Sequence, residues 1–425
     1  MKLIKLLILT IIVSSCGTKN HEEIAKKEDY EKYLVANEVK TTSKYFDLWN
    51  SKIRPDSMQL TSFGIVAGEY NRYFQQTGNI EFLMKAEQSL EKAVEIAAIG
   101  KGSYYRALAR NYISQHRFKE ALQLADSAAV IRGDKVETQS LYFDVHMELG
   151  NYKLAEQYLY SLKNMSDFGY MIRLAKWNDY KGDLDTTINF MEMARAKAES
   201  SKNKELMLWS YTNLGDHYGH AGRIEDSYNQ YLKALAIDNN NAYAKKGIAW
   251  IVFSNDKNPE EAIRILDSVT KTYNAPDYFL LKAEIADYVK NDLVRKSNLD
   301  QYLTRVKNTA YGDMYNAYNL GLYIDETKQY DKALALAKKE VINRPTPESF
   351  SWLGYSHLKK GDTKKALEIM DNYVYGKTFE PVLLFQAAEV YKANGQKEKV
   401  KELKGEIIGA LYELGPGMEK QVHDL

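Results

Sequence analysis

The chain has 425 residues, 27% of them charged, and its 58 Lys and Arg residues nearly balance 57 Asp and Glu residues. A near-neutral chain has no electrostatic reason to seek nucleic acid, so we predict no nucleic-acid partner. Its single cysteine, Cys16, excludes an intramolecular disulfide.

The amino terminus carries the pattern of a secretory signal. Lys2 and Lys5 precede a short apolar run, which is too short to span a bilayer as a mature helix. Residues 1–15 are therefore predicted to be a signal peptide. Residues 16–45 are rich in Lys, Glu, Asn and Thr, which is typical of a tether.

The end of this signal, Val13-Ser14-Ser15-Cys16, resembles a bacterial lipobox. The resemblance implies that the signal is cut before Cys16 and that its thiol carries an acyl chain such as palmitate. Gly17, in place of Asp, favours the outer membrane of a Gram-negative cell under the usual sorting rule. The periplasmic face and the cell surface both stay open, as does an ordinary signal peptide with an incidental cysteine.

The helical pattern is nearly continuous, and one frame of about 34 residues recurs from roughly residue 60 to residue 413. Each good copy has a Leu-Gly pair, then a turn, then an alanine near the start of a second helix. The best copies are Leu214, Gly215, Tyr218, Gly222 and Ala234; Leu320, Gly321, Tyr330, Ala333 and Ala337; and Leu353, Gly354, His357, Gly361 and Ala366.

This frame resembles the tetratricopeptide repeat (TPR). The resemblance implies an all-α protein, an α-solenoid of about ten TPR-like helix-turn-helix repeats forming a right-handed superhelix. The glycine after the leucine should face the first alanine of the second helix where the two helices cross. A copy around Gly247 fits only with an insertion, and residues 276–308 lack the turn glycine and the small pair.

The repeat frame divides the rest of the chain into three parts. Residues 46–100 are predicted to hold N-terminal helices and a degenerate first repeat, and residues 101–397 the TPR solenoid. Residues 398–425 are predicted to be a capping helix and tail, with one helix over 398–414, stopped by Gly415, and a loose end.

The search for catalytic or metal-binding groups finds no convincing constellation. His217 and His220 lie three residues apart on one helix, but no third ligand is evident, so we interpret them as structural and predict no metal. Residues 100–103 lack the glycine spacing of a phosphate loop. We therefore predict no catalytic residue, no cofactor and no enzymatic activity.

The TPR resemblance implies that the first helix of each repeat lines a concave surface, which we take as the candidate binding groove. The amino half of this surface alternates in charge, and the carboxyl half is richer in tyrosine. The frame places the following side chains there: Arg106, Arg110, Asp144, Lys176, Tyr180, Trp209, Asp216, His220, Tyr315, Tyr318, Tyr355 and Phe385.

Together these patterns predict a non-catalytic scaffold or adaptor lipoprotein that binds a protein or peptide partner at the cell envelope through its concave face. One alternative is a glycan-binding outer-membrane lipoprotein of a nutrient-uptake system, which the short connections between repeats disfavour. The other is an outer-membrane assembly factor, although the repeat lipoprotein known in that role is much shorter.

Overall fold

The structure, a computed structural model, describes residues 23–35, 39–54, 56, 58–131 and 133–425. These residues contain no β-strand. Their α-helices are α1 Lys27–Tyr30, α2 Lys44–Asn50, α3 Leu60–Thr77, α4 Ile80–Ile96, α5 Lys101–Ser114, α6 Phe118–Val130, α7 Lys135–Glu148, α8 Tyr152–Ser161, α9 Phe168–Tyr180, α10 Leu184–Ser201, α11 Lys204–His220, α12 Ile224–Ile237, α13 Ala242–Trp250, α14 Pro259–Thr270, α15 Pro276–Tyr288, α16 Asp292–Val306, α17 Asn316–Gly321, α18 Tyr330–Asn343, α19 Pro347–Lys359, α20 Thr363–Tyr373, α21 Pro381–Ala393, α22 Lys397–Gly409, α23 Leu411–Leu414 and α24 Glu419–His423.

Ten consecutive helix pairs, from α3–α4 to α21–α22, form the body of the described chain. Within each pair the two helices pack on each other, and neighbouring pairs pack in chain order. The odd-numbered helix of each pair is its first helix, and the even-numbered helix is its second helix. The predicted all-α solenoid of about ten TPR-like repeats is confirmed.

The turn inside each repeat needs one residue in the left-handed region of backbone space. Glycine supplies it in six repeats, for example Gly222 and Gly361, with φ values of 70° and 89°. The other four repeats use His116, Lys257, Lys290 and Lys328, with φ between 53° and 58°. A side chain in this conformation costs roughly 1–2 kcal/mol. These four repeats therefore keep the turn geometry without the turn glycine that identifies it in the sequence.

In most repeats a small residue stands at the helix crossing, five positions after the left-handed turn residue, whereas the first and last repeats have Leu83 and Val400 there. The alanines at this position are completely buried: Ala121, Ala155, Ala262, Ala333 and Ala366. In the degenerate repeat α15–α16 the same position holds Arg295, which reaches out to pair with Glu326 at 2.6 Å. The predicted facing of glycine and alanine is confirmed at Gly354, where a Cβ would lie 3.5 Å from the Ala366 carbonyl oxygen.

Two first helices end in a π-helical segment, Ile251–Asn255 after α13 and Leu322–Glu326 after α17. A π-turn takes up an inserted residue without ending the helix, which accounts for the insertion that the frame around Gly247 requires. The second π-helical segment also changes the repeat register that the sequence predicted around Gly321. A Cβ on Gly321 would meet the Trp352 ring at 3.7 Å, so this glycine faces the next first helix rather than the second helix of its own repeat.

The superhelix is wound so tightly that its later repeats rest on its earlier ones. Asn274 N donates to the Thr77 carbonyl at 2.8 Å, and Lys119 Nζ donates to the Ile342 carbonyl at 2.8 Å. A Cβ on Gly150 would lie 2.7 Å from the Pro345 carbonyl oxygen. The turns inside the first repeats therefore contact the segments that connect later repeats.

Both ends of the described chain are fastened to the solenoid. Residues 24–33, which we call the N-terminal strap, lie against α12 and α14. Ile24 N and Ala25 N donate to the Asp256 carboxylate at 3.1 and 3.0 Å, and the buried Tyr30 donates its hydroxyl to Glu261 at 2.8 Å. This part of the predicted tether is therefore docked on the repeats.

The carboxyl end differs from the prediction of one helix and a loose tail. The helix breaks at Ala410, and α23 crosses to α11 and to the π-helical segment after α13. Trp250 Nε1 and Ser254 Oγ donate to the Tyr412 carbonyl at 3.1 and 2.7 Å. The last residues form α24, in which Val422 is completely buried. The end of the chain is ordered because it covers apolar surface of the last repeat and bridges to the middle of the chain.

Candidate partner-binding interior

The first helices of the later repeats enclose a space that we call the interior, in which three neighbouring cavities meet at Glu380. The central cavity has a volume of about 680 Å³. The amino-side cavity, bounded by α9 and α19, holds about 240 Å³, and the carboxyl-side cavity, bounded by α11 and α23, holds about 230 Å³. Glu380, just before α21, lines all three, so the interior is a connected set of sites.

The central cavity has an apolar wall with acidic edges. Its apolar side chains are Leu280, Tyr318, Leu322, Trp352, Val382 and Leu383. Its acidic side chains are Asp325, Glu326, Glu348 and Glu380, and none of its lining residues is a Lys, Arg or His. The exposed fractions of Tyr318 and Val382, 45% and 47%, are high for side chains of this type, so they present bare apolar surface to the interior.

The acidic side chains of the central cavity differ in whether they are neutralised. Glu326 pairs with Arg295 at 2.6 Å, and Glu348 pairs with Arg344 at 3.0 Å. The carboxylates of Asp325 and Glu380 form no ion pair or hydrogen bond with other described residues. Burial raises the pKa of both carboxyl groups.

The amino-side cavity is held together by paired charges and stacked rings. Glu148 lies 2.7 Å from Lys176 and 3.8 Å from Arg344. The rings of Tyr152 and Tyr180 stack with centroids 4.0 Å apart. Because most of its charged groups other than Glu380 are already paired within the chain, this cavity has less unsatisfied binding capacity than the central one.

The carboxyl-side cavity lies where the chain closes on itself. Asp216 accepts hydrogen bonds from Tyr231 at 2.5 Å and from Tyr243 at 2.6 Å. His220 lies 2.6 Å from Glu413 on α23. Burial lowers the pKa of His220, but the hydrogen bond and charge of Glu413 outweigh it and raise the pKa to about 9. The imidazolium and carboxylate therefore hold α23 against α11 at neutral pH.

Five residues that the frame assigned to the groove do line these cavities: Lys176, Tyr180, Asp216, His220 and Tyr318. Trp209 is 39% exposed at the start of α11 but lines none of the three cavities. Tyr315 lies behind Tyr318, with its ring centroid 5.8 Å from that of Tyr318. Of the acidic and aromatic members of the predicted set, Asp216 and Tyr318 line the two cavities of the carboxyl half.

The charged residues predicted in the amino half join neighbouring first helices. Arg106 pairs with Asp134 and Arg110 with Glu137, each at 2.7 Å, and Asp144 pairs with Arg173 at 2.6 Å. The charge alternation seen in the sequence is thus a ladder of ion pairs between repeats. The exposed pairs of such a ladder each contribute only about 0–1 kcal/mol.

Three predicted groove residues are corrected by their burial. Arg106, Tyr355 and Phe385 are each about 5–6% exposed and pack between helices. Their side chains offer a partner no accessible surface. In α19 the interior is lined by Glu348 and Trp352 instead of Tyr355. A register error of one position rotates a side chain by about 100° around the helix axis, which is enough to move it between the core and the interior.

Sequence reasoning missed the residues that carry most of the central cavity, namely Leu280, Asp325, Trp352, Glu380 and Val382. Glu380 and Val382 flank the start of α21, and no periodic signal marks them. The spacing of Glu348 and Trp352, four residues apart on one helix, was the signal that could have found those two.

Two other predictions concern the histidine pair of α11 and Cys16. The rings of His217 and His220 lie 6.2 Å apart, and each has a carboxylate neighbour, Asp179 at 3.8 Å and Glu413 at 2.6 Å. The described residues hold no group of three or more His, Cys, Asp or Glu side chains suited to a metal ion. Cys16 lies outside the described residues, and among those that are described no helix combines the length and apolarity needed to cross a membrane.

No protein-family model matches the sequence, and no curated protein matches it either. Among solved structures, the human IFIT1 dimer with PPP-AAAA aligns over 80% of this chain and 95% of that chain, with 13% identity and a TM-score of 0.44. A signal-transduction ATPase with a tetratricopeptide repeat sensor from Pyrococcus horikoshii covers 90% of this chain and 56% of that chain, with 16% identity and a TM-score of 0.38. Yeast Tom70 covers 84% and 85%, with 14% identity and a TM-score of 0.35. The ten helix pairs with their left-handed turn residues and buried crossing alanines define the fold as a TPR-like α-solenoid.

Proposed function

We propose that this protein is a non-catalytic scaffold of the cell envelope that holds a protein or peptide partner in its interior. The observation that carries this proposal is the central cavity, where Tyr318 and Val382 are nearly half exposed beside the unpaired carboxylate of Glu380. Exposed aromatic and aliphatic side chains around a few polar groups are typical of recognition sites.

The scaffold is proposed to be lipid-anchored at the outer membrane through Cys16. The docked N-terminal strap supports a defined attachment point. Seven residues lie between Cys16 and Ile24, and the eight Cα–Cα steps of this segment span at most about 29 Å. An acyl chain on Cys16 would therefore hold α12 and α14 near the membrane.

The experiment that tests this function is a crosslinking pull-down from intact cells with a carboxyl-terminal tag. Wild type is compared with the variant Tyr318→Ala/Val382→Ala, which strips the wall of the central cavity. The matched control is Tyr160→Ala/Val130→Ala, which removes a tyrosine and a valine that are even more exposed, 66% and 85%, from second helices. We expect one envelope protein to be captured by wild type and the control and lost in the interior variant. Equal capture by all three proteins would contradict the proposal.

Glycan binding is the second candidate, because aromatic rings beside free carboxylates also suit a sugar. Trp352 and Tyr318 with Asp325 supply those groups. Affinity electrophoresis in gels that contain soluble polysaccharides tests it. Retardation of wild type that is lost in Tyr318→Ala/Val382→Ala would favour a glycan over a protein partner.

A further inference from the structure

The central cavity carries a negative charge that the described chain does not neutralise. Four carboxylates line it, and two of them, Glu326 and Glu348, have arginine partners outside the cavity wall. Asp325 and Glu380 have none. Lys359, which lowers the pKa of Asp325 from a distance, pairs instead with Glu389 at 3.6 Å.

Asp325 and Glu380 are both exposed to solvent in the cavity, so they are not buried charges, and together they leave its surface negative. Desolvation by the surrounding chain raises the pKa of Glu380, the carboxylates of Asp179, Glu413 and Glu348 raise it further, and His220 lowers it. Interior carboxylates that repel each other are stabilised when a cation arrives. The cavity is therefore electrostatically complementary to a positively charged group and repels a negatively charged one.

The apolar wall specifies what the cation must be attached to. Trp352 and Tyr318 present aromatic rings, which attract a lysine or arginine head placed over their faces. Leu280 and Val382 offer aliphatic surface, which suits the methylene stem of such a side chain. The volume of about 680 Å³ admits one long basic side chain together with an aliphatic neighbour.

We infer that the central cavity binds a lysine or arginine side chain and an adjacent aliphatic side chain of a peptide segment, so that the partner's docking segment is basic and amphipathic. This specificity rests on the proposed function of the interior as a partner-binding site. An acidic segment or a free carboxyl terminus would meet Asp325 and Glu380 without a compensating cation.

The test is fluorescence anisotropy with the full chain and three labelled twelve-residue peptides of alternating sequence: Lys/Leu, Glu/Leu and Lys/Ser. We expect the Lys/Leu peptide to bind at least about tenfold more tightly than either of the others, a difference of about 1.4 kcal/mol. Its affinity should fall as salt rises, because the contact includes ion pairs.

Two isosteric variants separate a local site from the overall charge of the protein. Asp325→Asn/Glu380→Gln removes the unpaired carboxylates and should weaken binding of the Lys/Leu peptide by about tenfold or more. Asp300→Asn/Glu225→Gln removes two exposed carboxylates from second helices, with the same change in net charge, and should leave the affinity unchanged. Circular dichroism confirms that both variants fold.

If the two variants weakened binding of the Lys/Leu peptide equally, the inference would be overturned, because the attraction would then come from the overall charge of the protein and not from the central cavity. Tighter binding of the Glu/Leu peptide, or no binding of the Lys/Leu peptide, would overturn it as well. If the Tyr318→Ala/Val382→Ala variant still loses its cellular partner in that case, the scaffold function stands and only the basic specificity fails. If capture is also unaffected, both fail together.

Discussion

The ring of Tyr231 is held between two glycines, which gives a sharp test of the packing. A Cβ on Gly247 would lie 2.4 Å from Cζ of Tyr231, and a Cβ on Gly215 would lie 2.8 Å from its Cε1. The ring is buried, and its hydroxyl donates to Asp216 at 2.5 Å. It therefore cannot move away from one glycine without meeting the other or losing its hydrogen bond.

Gly247→Ala should accordingly destabilise the protein by about 2–4 kcal/mol. Overpacking costs roughly 1–3 kcal/mol, and loss of the charge-assisted hydrogen bond from Tyr231 costs roughly 1.5–3 kcal/mol. Alanine returns about 1 kcal/mol through its higher helix propensity. The free energy of unfolding is measured by urea denaturation, followed by far-ultraviolet circular dichroism.

Gly405→Ala is the matched control, because Gly405 is an exposed helical glycine with no atom within 4 Å of its would-be Cβ. It should stabilise the protein by about 0.5–1 kcal/mol. In a Tyr231→Ala background the cost of Gly247→Ala should disappear. The reasoning is refuted if Gly247→Ala stabilises wild type as Gly405→Ala does.

Three further outcomes are expected, each read from urea or thermal unfolding. Lys290→Gly should stabilise the protein by about 0.5–1 kcal/mol because it relieves a left-handed side chain, and Gly361→Ala should destabilise it by about 1–2 kcal/mol; the same sign for both would contradict the turn assignment. Ala366→Leu should cost about 1–3 kcal/mol by overpacking the helix crossing, and an unchanged midpoint would show that the crossing is loose. Glu284 is exposed to solvent, but desolvation by the chain around it raises its pKa from 4.5 to about 7. The folded chain therefore binds this proton more tightly than the unfolded chain, and stability from this group is lost as pH rises through 7. The melting temperature of Glu284→Gln relative to wild type should therefore rise between pH 5 and pH 8, and a constant difference would refute that shift.

The repeat frame could be predicted because most of the helix crossings hold small residues, and Ala333 and Ala366 mark them in the sequence. The repeat α15–α16 was harder to see because Lys290 replaces the turn glycine and Arg295 replaces the crossing alanine. Its fold is kept by its neighbours, since each repeat of a solenoid is stabilised by the interfaces on either side.

The interior was predicted only in part, because the repeat pattern of the sequence contains no information about contacts between distant repeats. The π-helical segment Leu322–Glu326 shifts the frame, and in α19 the frame placed Tyr355 in the groove although Trp352, three positions earlier, lines the cavity. The contacts of Gly150 with Pro345 and of His220 with Glu413 join residues about 195 apart in the chain, and no periodic pattern encodes them.

The most direct test of the central claim is site-specific photo-crosslinking in intact cells. A benzophenone amino acid replaces either Val382, in the wall of the central cavity, or Tyr160, which is 66% exposed on the second helix α8. We predict that one protein partner is crosslinked from position 382 and not from position 160. Crosslinking from position 160 alone, or from neither position, would contradict the claim that the interior is where this solenoid binds its partner.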